Sequence, residues 1–537
     1  MLCRKAQHFF IFVPMPDHFD LAYPQEYEKS KGVPAFFQPV LAAVKSIFTL
    51  DLRALGLLRI TMAMVVIIDQ CIRMTDLEAF YSNTGVMPLH LLFEKAWNPS
   101  NFSIHAISGL WQVQALLFVL TIGFALAMLL GWRTKLFAFL TWIMVVSVQN
   151  RNPYILQGGD DLLRMILFWG MFLPWNRRYA LDALDEELPV DNNYLGLPGV
   201  AYMVQIACLY YFSALLKDSA EWRTDGTALY YALSLDQLVF PLGKWLYQFP
   251  QLLKTLTFVV FYTELIAPFL LFVPVFSPVF RMISVFLIVS LHLGIGLTLF
   301  VGLFFLIGIA STTGLLTTSV MDAIERRLAG VMERIRNFFL QLKEKMNGWV
   351  SFHLSFRLKH LSNKHLEISK NIFVACCLLF VVLWNIQNLG VYRNLTRSAS
   401  FAGQLIKLDQ NWGMFAPTVF KDDGWFILKG TTESNKEIDL NRGAKPLDYE
   451  KPESVVSLFK NDRWRKYSEN YLFISNSFLR AYYSNFIFDK WNAEHPDNKL
   501  KKLEVIYMKE ITQPDYKIAE PTRELLSVTE PATNEPE

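Results

Sequence analysis

Residues 202–218, YMVQIACLYYFSALLKD, run through fifteen positions without a charge before ending on Lys217 and Asp218. About 20 such residues cross the hydrocarbon core of a bilayer as a helix. The same pattern recurs along the chain, at about 54–72, 110–131, 134–149, 161–175, 198–216, 254–276, 280–299, 300–318 and 371–391. Windows 134–149, 161–175 and 300–318 are the weakest. The last (FVGLFFLIGIASTTGLLTT) is rich in Gly, Ser and Thr and reads either as a span or as a broken, re-entrant element. Composition agrees. Of 537 residues, 53% are hydrophobic and 18% charged, against about 25% charged in a soluble protein. The fold class expected is an all-α polytopic membrane bundle of about nine spans with a small C-terminal extracytoplasmic α+β domain. A soluble enzyme is excluded, and a net charge of +3 implies no nucleic-acid partner.

Lysines and arginines orient the bundle. Arg133 and Lys135 lie between the second and third spans, Arg177 and Arg178 follow the fourth, and segment 320–370 holds ten basic against five acidic residues. Alternating spans put all three on one side, the cytoplasmic one. Connections 73–109, 150–160 and 217–253 then share the outer face with the C-terminal part. The implied layout is an N-terminal segment (1–50) with an interfacial helix at Ala35–Phe48, a membrane domain (51–320), a basic cytoplasmic segment (321–370), a last span (371–391), an extracytoplasmic domain (392–515) and a disordered Glu- and Pro-rich tail (516–537). After Val391 the charges balance, 21 basic to 22 acidic. Trp425–Leu440 reads as two strands about a turn, Lys502–Ile511 as another strand, and Arg463–Trp491 as one amphipathic helix with an aromatic stripe. The five cysteines form no framework.

Ionisable groups at membrane depth cost a few kcal/mol each and need a reason. Lys217, at the end of its span, reads either as a lysine snorkelling to the interface or as a desolvated amine that can act as a base. Glu264 and His292 lie on consecutive spans at similar depth, about 15 Å and 10 Å below the outer end at ~1.5 Å per residue. They read as an interior Glu–His pair, functional or structural. Asp160, Asp161 and Arg164 follow Gln157-Gly158-Gly159, which helix capping and an Asp160–Arg164 pair at i,i+4 would account for. Arg59 and Asp69 are also intramembrane, and a structural partner or headgroup contact is expected for Arg59. His105 and Arg151 sit on outer loops. No phosphate loop, dinucleotide fingerprint, zinc-protease or nucleophile-elbow motif is present, and no residues have metal-ligand spacing.

The outer loops resemble the HTTM family, the membrane domain shared by vitamin K-dependent gamma-glutamyl carboxylases and bacterial relatives. The carrying residues are LDLRALGLLRI (50–60), FYSNTGVMPLH (80–90), WNPSNFSIH (97–105), NRNPYILQGGDDLLRMILFWGMFLP (150–174), RRYALDAL (177–184), YYFSALLKDSAEWRTDGTALYYAL (210–233), the His292 helix and LDQNWGMFAPTVFKDDGWFILKG (408–430). The resemblance implies a base at Lys217, with His292 as a polarising or proton-transferring partner oriented by Glu264. It implies substrate or cofactor contacts at Asn152, Asp160, Arg164, Trp222 and His105. The implied cofactor is reduced vitamin K or another lipid hydroquinone, without a metal. The implied reaction is carboxylation of glutamate in an exported peptide, in a membrane such as the bacterial inner membrane. Two departures stand out. Asp218 follows Lys217 where the carboxylases carry a second lysine, and Pro153 follows Asn152 where they carry a histidine.

Two other readings stay open. The bundle could be a non-catalytic maturation or assembly factor for a secreted peptide, with the outer domain as its binding module. A transporter would show paired broken helices or symmetry between halves, and the sequence has neither.

Overall fold

A backbone in hydrocarbon must satisfy its own polar groups, so each apolar window is expected to close into helix. The computed structural model describes residues 38–185, 191–349, 363–390, 395–515 and 517–531. The bundle consists of α1 (Leu52–Met74), α2 (Trp111–Leu130), α3 (Thr134–Arg151), α4 (Gly158–Gly170), α5 (Leu197–Leu216), α6 (Pro250–Leu270), α7 (Ser277–Thr298), α8 (Phe304–Ser311) and α9 (Asn363–Asn388). Local chemistry sets their ends. The Asp51 side chain caps α1 by accepting from Arg53 N, and Gly131 ends α2 in the left-handed region at φ 69°. A proline opens α5, α6 and α7 within the first two positions.

All nine expected windows are helical over at least part of their length. Among the described residues, however, six helices are long and apolar enough to cross a membrane: α1, α2, α5, α6, α7 and α9. α4 has 13 residues and α8 only 8. Residues Phe304–Leu315 and Thr318–Arg327 form a pair bent by 103°, the broken alternative for window 300–318.

The bundle has two distinct ends. At one, Arg53 bonds Asp322 (2.7 Å) and Glu325 (2.8 Å), while Arg281 donates to the carbonyls of Ile47 and Thr49. The helix Gln38–Phe48 lies at this end and buries none of its residues; Ala35–Phe37 fall outside the described residues. At the other end sits the C-terminal domain. It reaches 73–109 through Lys460–Asp76 (2.8 Å), 150–160 through Asn470–Tyr154 O (2.8 Å) and 217–253 through Tyr230–Gln513 O (2.6 Å). These three connections therefore share one end with the C-terminal part, as alternation requires.

The C-terminal domain is an antiparallel sheet with two helices on one face. Its strands are β1 (Asp422–Thr432), β2 (Glu437–Asp439), β3 (Lys445–Pro446), β4 (Leu500–Gln513), β5 (Lys517–Ile518) and β6 (Thr522–Thr529), in the order β3-β2-β1-β4-β5 with β6 also on β4. The central register sets Phe426 opposite Tyr507 and Ile427 opposite Ile506. Helices α10 (Asp462–Leu472) and α11 (Leu479–Glu494) bury Tyr467, Tyr471 and Tyr483 against Phe426, Leu428 and Tyr507.

Two expectations for this part are corrected. Arg463–Trp491 is two helices, because Phe473 turns extended (φ −63°, ψ 133°) and lets α11 fold back so that Tyr471 and Tyr483 stack at 5.2 Å. Tyr467, Tyr471, Tyr483, Phe486 and Phe488 within it are core, with Tyr467 and Tyr471 at most 1% exposed. The expected disordered tail contains β6, which satisfies the free edge of β4 from Leu503 to Lys509; residues 532–537 lie outside the described residues.

Candidate functional site

Tyr210, Ser213 and Lys217 are spaced by three and four residues, so they form one stripe of α5. Lys217 caps the helix, its N–H donating to Ala214 O. Its side chain turns inward and not to the interface, and the residue is 2% exposed. Nζ donates to Ser213 Oγ (2.7 Å) and Glu264 Oε2 (2.5 Å), and lies 5.1 Å from the centre of the Trp222 ring. Ser213 Oγ also donates to Glu264 (3.2 Å). One hydroxyl, Ser213, and one aromatic face, Trp222, therefore flank a buried carboxylate–ammonium pair.

The expected Glu264–His292 pair does not form. Glu264 faces α5, where Ser213 and Lys217 offer two donors one turn apart. His292 instead shares a 2.8 Å hydrogen bond with the Tyr210 hydroxyl through Nε2, one stripe position deeper. Nδ1 of His292 is buried with no hydrogen-bond partner. The ring rests 5.1 Å from Phe304 and directly over Gly308, where a Cβ would come within 2.1 Å of Cε1. Gly308 is thus what admits the imidazole between α7 and α8. The site is a polar line running inward along α5, from Trp222 and Lys217 through Glu264 and Ser213 to Tyr210 and His292.

Of the other expected contacts, only Trp222 joins this line. Its Nε1 donates to Phe415 O (2.9 Å). Asp160 belongs to a second, wholly buried cluster. It accepts from Arg73 (2.6 Å) and twice from Arg463 of α10 (2.5 and 2.9 Å). Asp69 completes the cluster through Arg73 (2.7 Å) and Arg463 (2.9 Å), and two positive and two negative charges balance. Asp160 also caps α4, accepting from Gln157 N. The expected Asp160–Arg164 pair is absent because Arg73 and Arg463 saturate Asp160. Arg164 turns to Asp161 (3.1 Å) and the Asp409 carbonyl. Asn152 caps residues 153–155 and donates to Phe80 O (3.2 Å). His105, fully buried, bonds Gln114 (2.7 Å), and burial pushes its imidazole down to about 4 despite that bond. Arg59 has the structural partners expected, the carbonyls of Trp175 (2.7 Å) and Tyr179 (2.5 Å).

Sequence reasoning missed the segment 407–417. It dips into the bundle between α4, α5 and α9. Gln410 accepts from Gln205 (2.7 Å) and Trp412 (2.9 Å) through Oε1, and from Trp384 (3.0 Å) and Asn388 (2.8 Å) through its carbonyl. Trp412 is fully buried in the bundle core. Between this plug and the bundle lies a cleft of about 330 Å³, lined by Leu216, Asn388, Asn411, Gly413, Ala416 and Pro417, next to the turn that carries Lys217. The sequence marks this stretch within the block 408–430, but LDQNWGMF has no periodicity that would place it inside the bundle. No family model matches the chain, and no curated protein or solved structure matches it.

Proposed function

We propose that the chain is an integral membrane protein of the HTTM kind whose nine bundle helices span or enter the bilayer, with the plugged end and the C-terminal domain on the extracytoplasmic side. The arginine- and lysine-rich opposite end supports this orientation through the positive-inside bias. We propose further that Lys217 is the base of a quinone-linked reaction like that of the gamma-glutamyl carboxylases, carried out on a secreted peptide. The observation that carries this reading is the burial of Nζ against Glu264 and Trp222 at the mouth of the bundle.

The residues present suit a hydroquinone headgroup. The cleft beside Leu216, about 330 Å³, is at the small end of ligand pockets, about 300–1,000 Å³, and Asn411 contributes a polar side chain to its lining. A lipid hydroquinone would supply the reducing equivalents. Glu264, hydrogen-bonded to Nζ, is the group placed to relay the proton that Lys217 passes on when the amine accepts one from a hydroxyl. Trp222 and the plug keep water from the pair. Lys217→Ala is expected to abolish turnover of added hydroquinone while the protein still inserts, and wild-type turnover in that variant would remove the proposal. Mass spectrometry of co-purifying quinones tests the cofactor separately.

A second reading, a non-catalytic maturation factor, is favoured by one feature. Phe420, Phe473 and Ile474 expose apolar side chains on the C-terminal side, Ile474 to 87%. Under that reading, Ile474→Asp abolishes maturation of the exported partner and Lys217→Ala leaves it intact.

A further inference from the structure

The chain leaves the bundle at its basic end through a sharp turn. Thr318–Arg327 is bent 103° from Phe304–Leu315, so it does not continue that segment's direction. Arg53 pins it there through Asp322 and Glu325. After Leu328 the helix Ala329–Trp349 follows at once.

Its residues are ordered around the axis. At 3.6 residues per turn, Val331, Met332, Ile335, Phe338, Phe339 and Leu342 fall within an arc of about 120°. Arg334 and Lys345 border one edge of that arc and Arg336 and Lys343 the other. Glu333 and Glu344 lie at the opposite pole. Half of the arc stands open among the described residues: Val331 is 49%, Ile335 44% and Phe338 55% exposed. At ~1.5 Å per residue the helix is about 31 Å long, but its charges forbid a transmembrane path. Basic borders beside an apolar face, with acidic groups farthest away, match the charge order of an anionic leaflet met edge-on.

We propose that helix Ala329–Trp349 lies flat in the headgroup layer at the basic end, with Phe338 in the acyl region, and binds anionic phospholipids through Arg334, Arg336 and Lys345. The full chain in nanodiscs of phosphatidylcholine with phosphatidylglycerol tests this. In a background without native cysteines, a nitroxide at Phe338→Cys should be relaxed by oxygen, and one at Asn337→Cys by an aqueous nickel chelate. Nickel access at 338 overturns the proposal, as does a 338 label shielded from both reagents, which would mean that protein covers the face. The second measurement keeps the native cysteines. In native mass spectrometry, phosphatidylglycerol should be retained over phosphatidylcholine, and Arg334→Gln, Arg336→Gln and Lys345→Gln together should abolish that preference. Undiminished preference in the triple variant overturns the lipid assignment.

Discussion

Arg463 and Asp160, 303 positions apart in the chain, meet through two hydrogen bonds of 2.5 and 2.9 Å inside the protein. The bond joins the C-terminal domain to α4, and Arg463 also reaches Asp69 of α1. Losing Arg463 leaves two buried carboxylates facing Arg73 alone. Arg463→Ala is expected to cost about 3–5 kcal/mol, read as a fall in thermal midpoint in detergent. Asp160→Asn added to it should restore part of the loss, and strict additivity would show that the pair is uncoupled.

The Lys217–Glu264 pair separates stability from chemistry. Lys217→Met and Glu264→Gln should each destabilise by about 3 kcal/mol, because each leaves the partner charged and unpaired. The double variant should recover most of that stability. Hydroquinone turnover, if Lys217 is the base, stays lost in all three, so chemical denaturation and turnover assays together distinguish the roles.

Gly308 is required by the imidazole above it. Gly308→Ala forces a Cβ to 2.1 Å from His292 Cε1 and should cost about 1–3 kcal/mol. His292→Ala in the same chain should remove the clash and raise the midpoint again. A Gly308→Ala protein as stable as the parent would mean that α8 has room to shift.

His105 contributes to the acid limb of stability. Burial holds its folded value at about 4, below the ordinary 6.5. The unfolded chain therefore takes up the proton first as pH falls. Its contribution is complete above pH 6.5, declines through the window to about 4 and is flat below. The span amounts to roughly 3 kcal/mol. His105→Gln should flatten the midpoint-versus-pH curve across that window, and an unchanged slope would place the titration elsewhere.

The helices were legible because hydrophobic runs are a local property, and the shared face of 73–109, 150–160 and 217–253 followed from counting them. Length was not: α4 is short because it ends at Gly170, ahead of Pro174, and α8 because it starts only after Leu303, and apolar flanks disguise both. Lys217, Glu264 and His292 could each be singled out as residues out of place in a membrane, and Trp222 through the family resemblance. Their partners could not, although Ser213 lies one turn before Lys217 and was open to the same spacing argument. Asp160 shows the limit most clearly. A local rule offered Arg164, while the residue that saturates it comes from α10. The strand Thr522–Thr529 was hidden by the Glu- and Pro-rich composition around TRELLSVT, since only the open edge of β4 gives that stretch a place to pair.

The plug at 407–417 sets an order on biosynthesis. Until the ribosome has passed Trp412 and that stretch has folded back onto the helices, Gln205 and Trp384 lack their partner Gln410 in the half-built bundle. A chain truncated after α9 would keep that gap, so the bundle reaches its final packing only when the segment that follows it arrives to fill it.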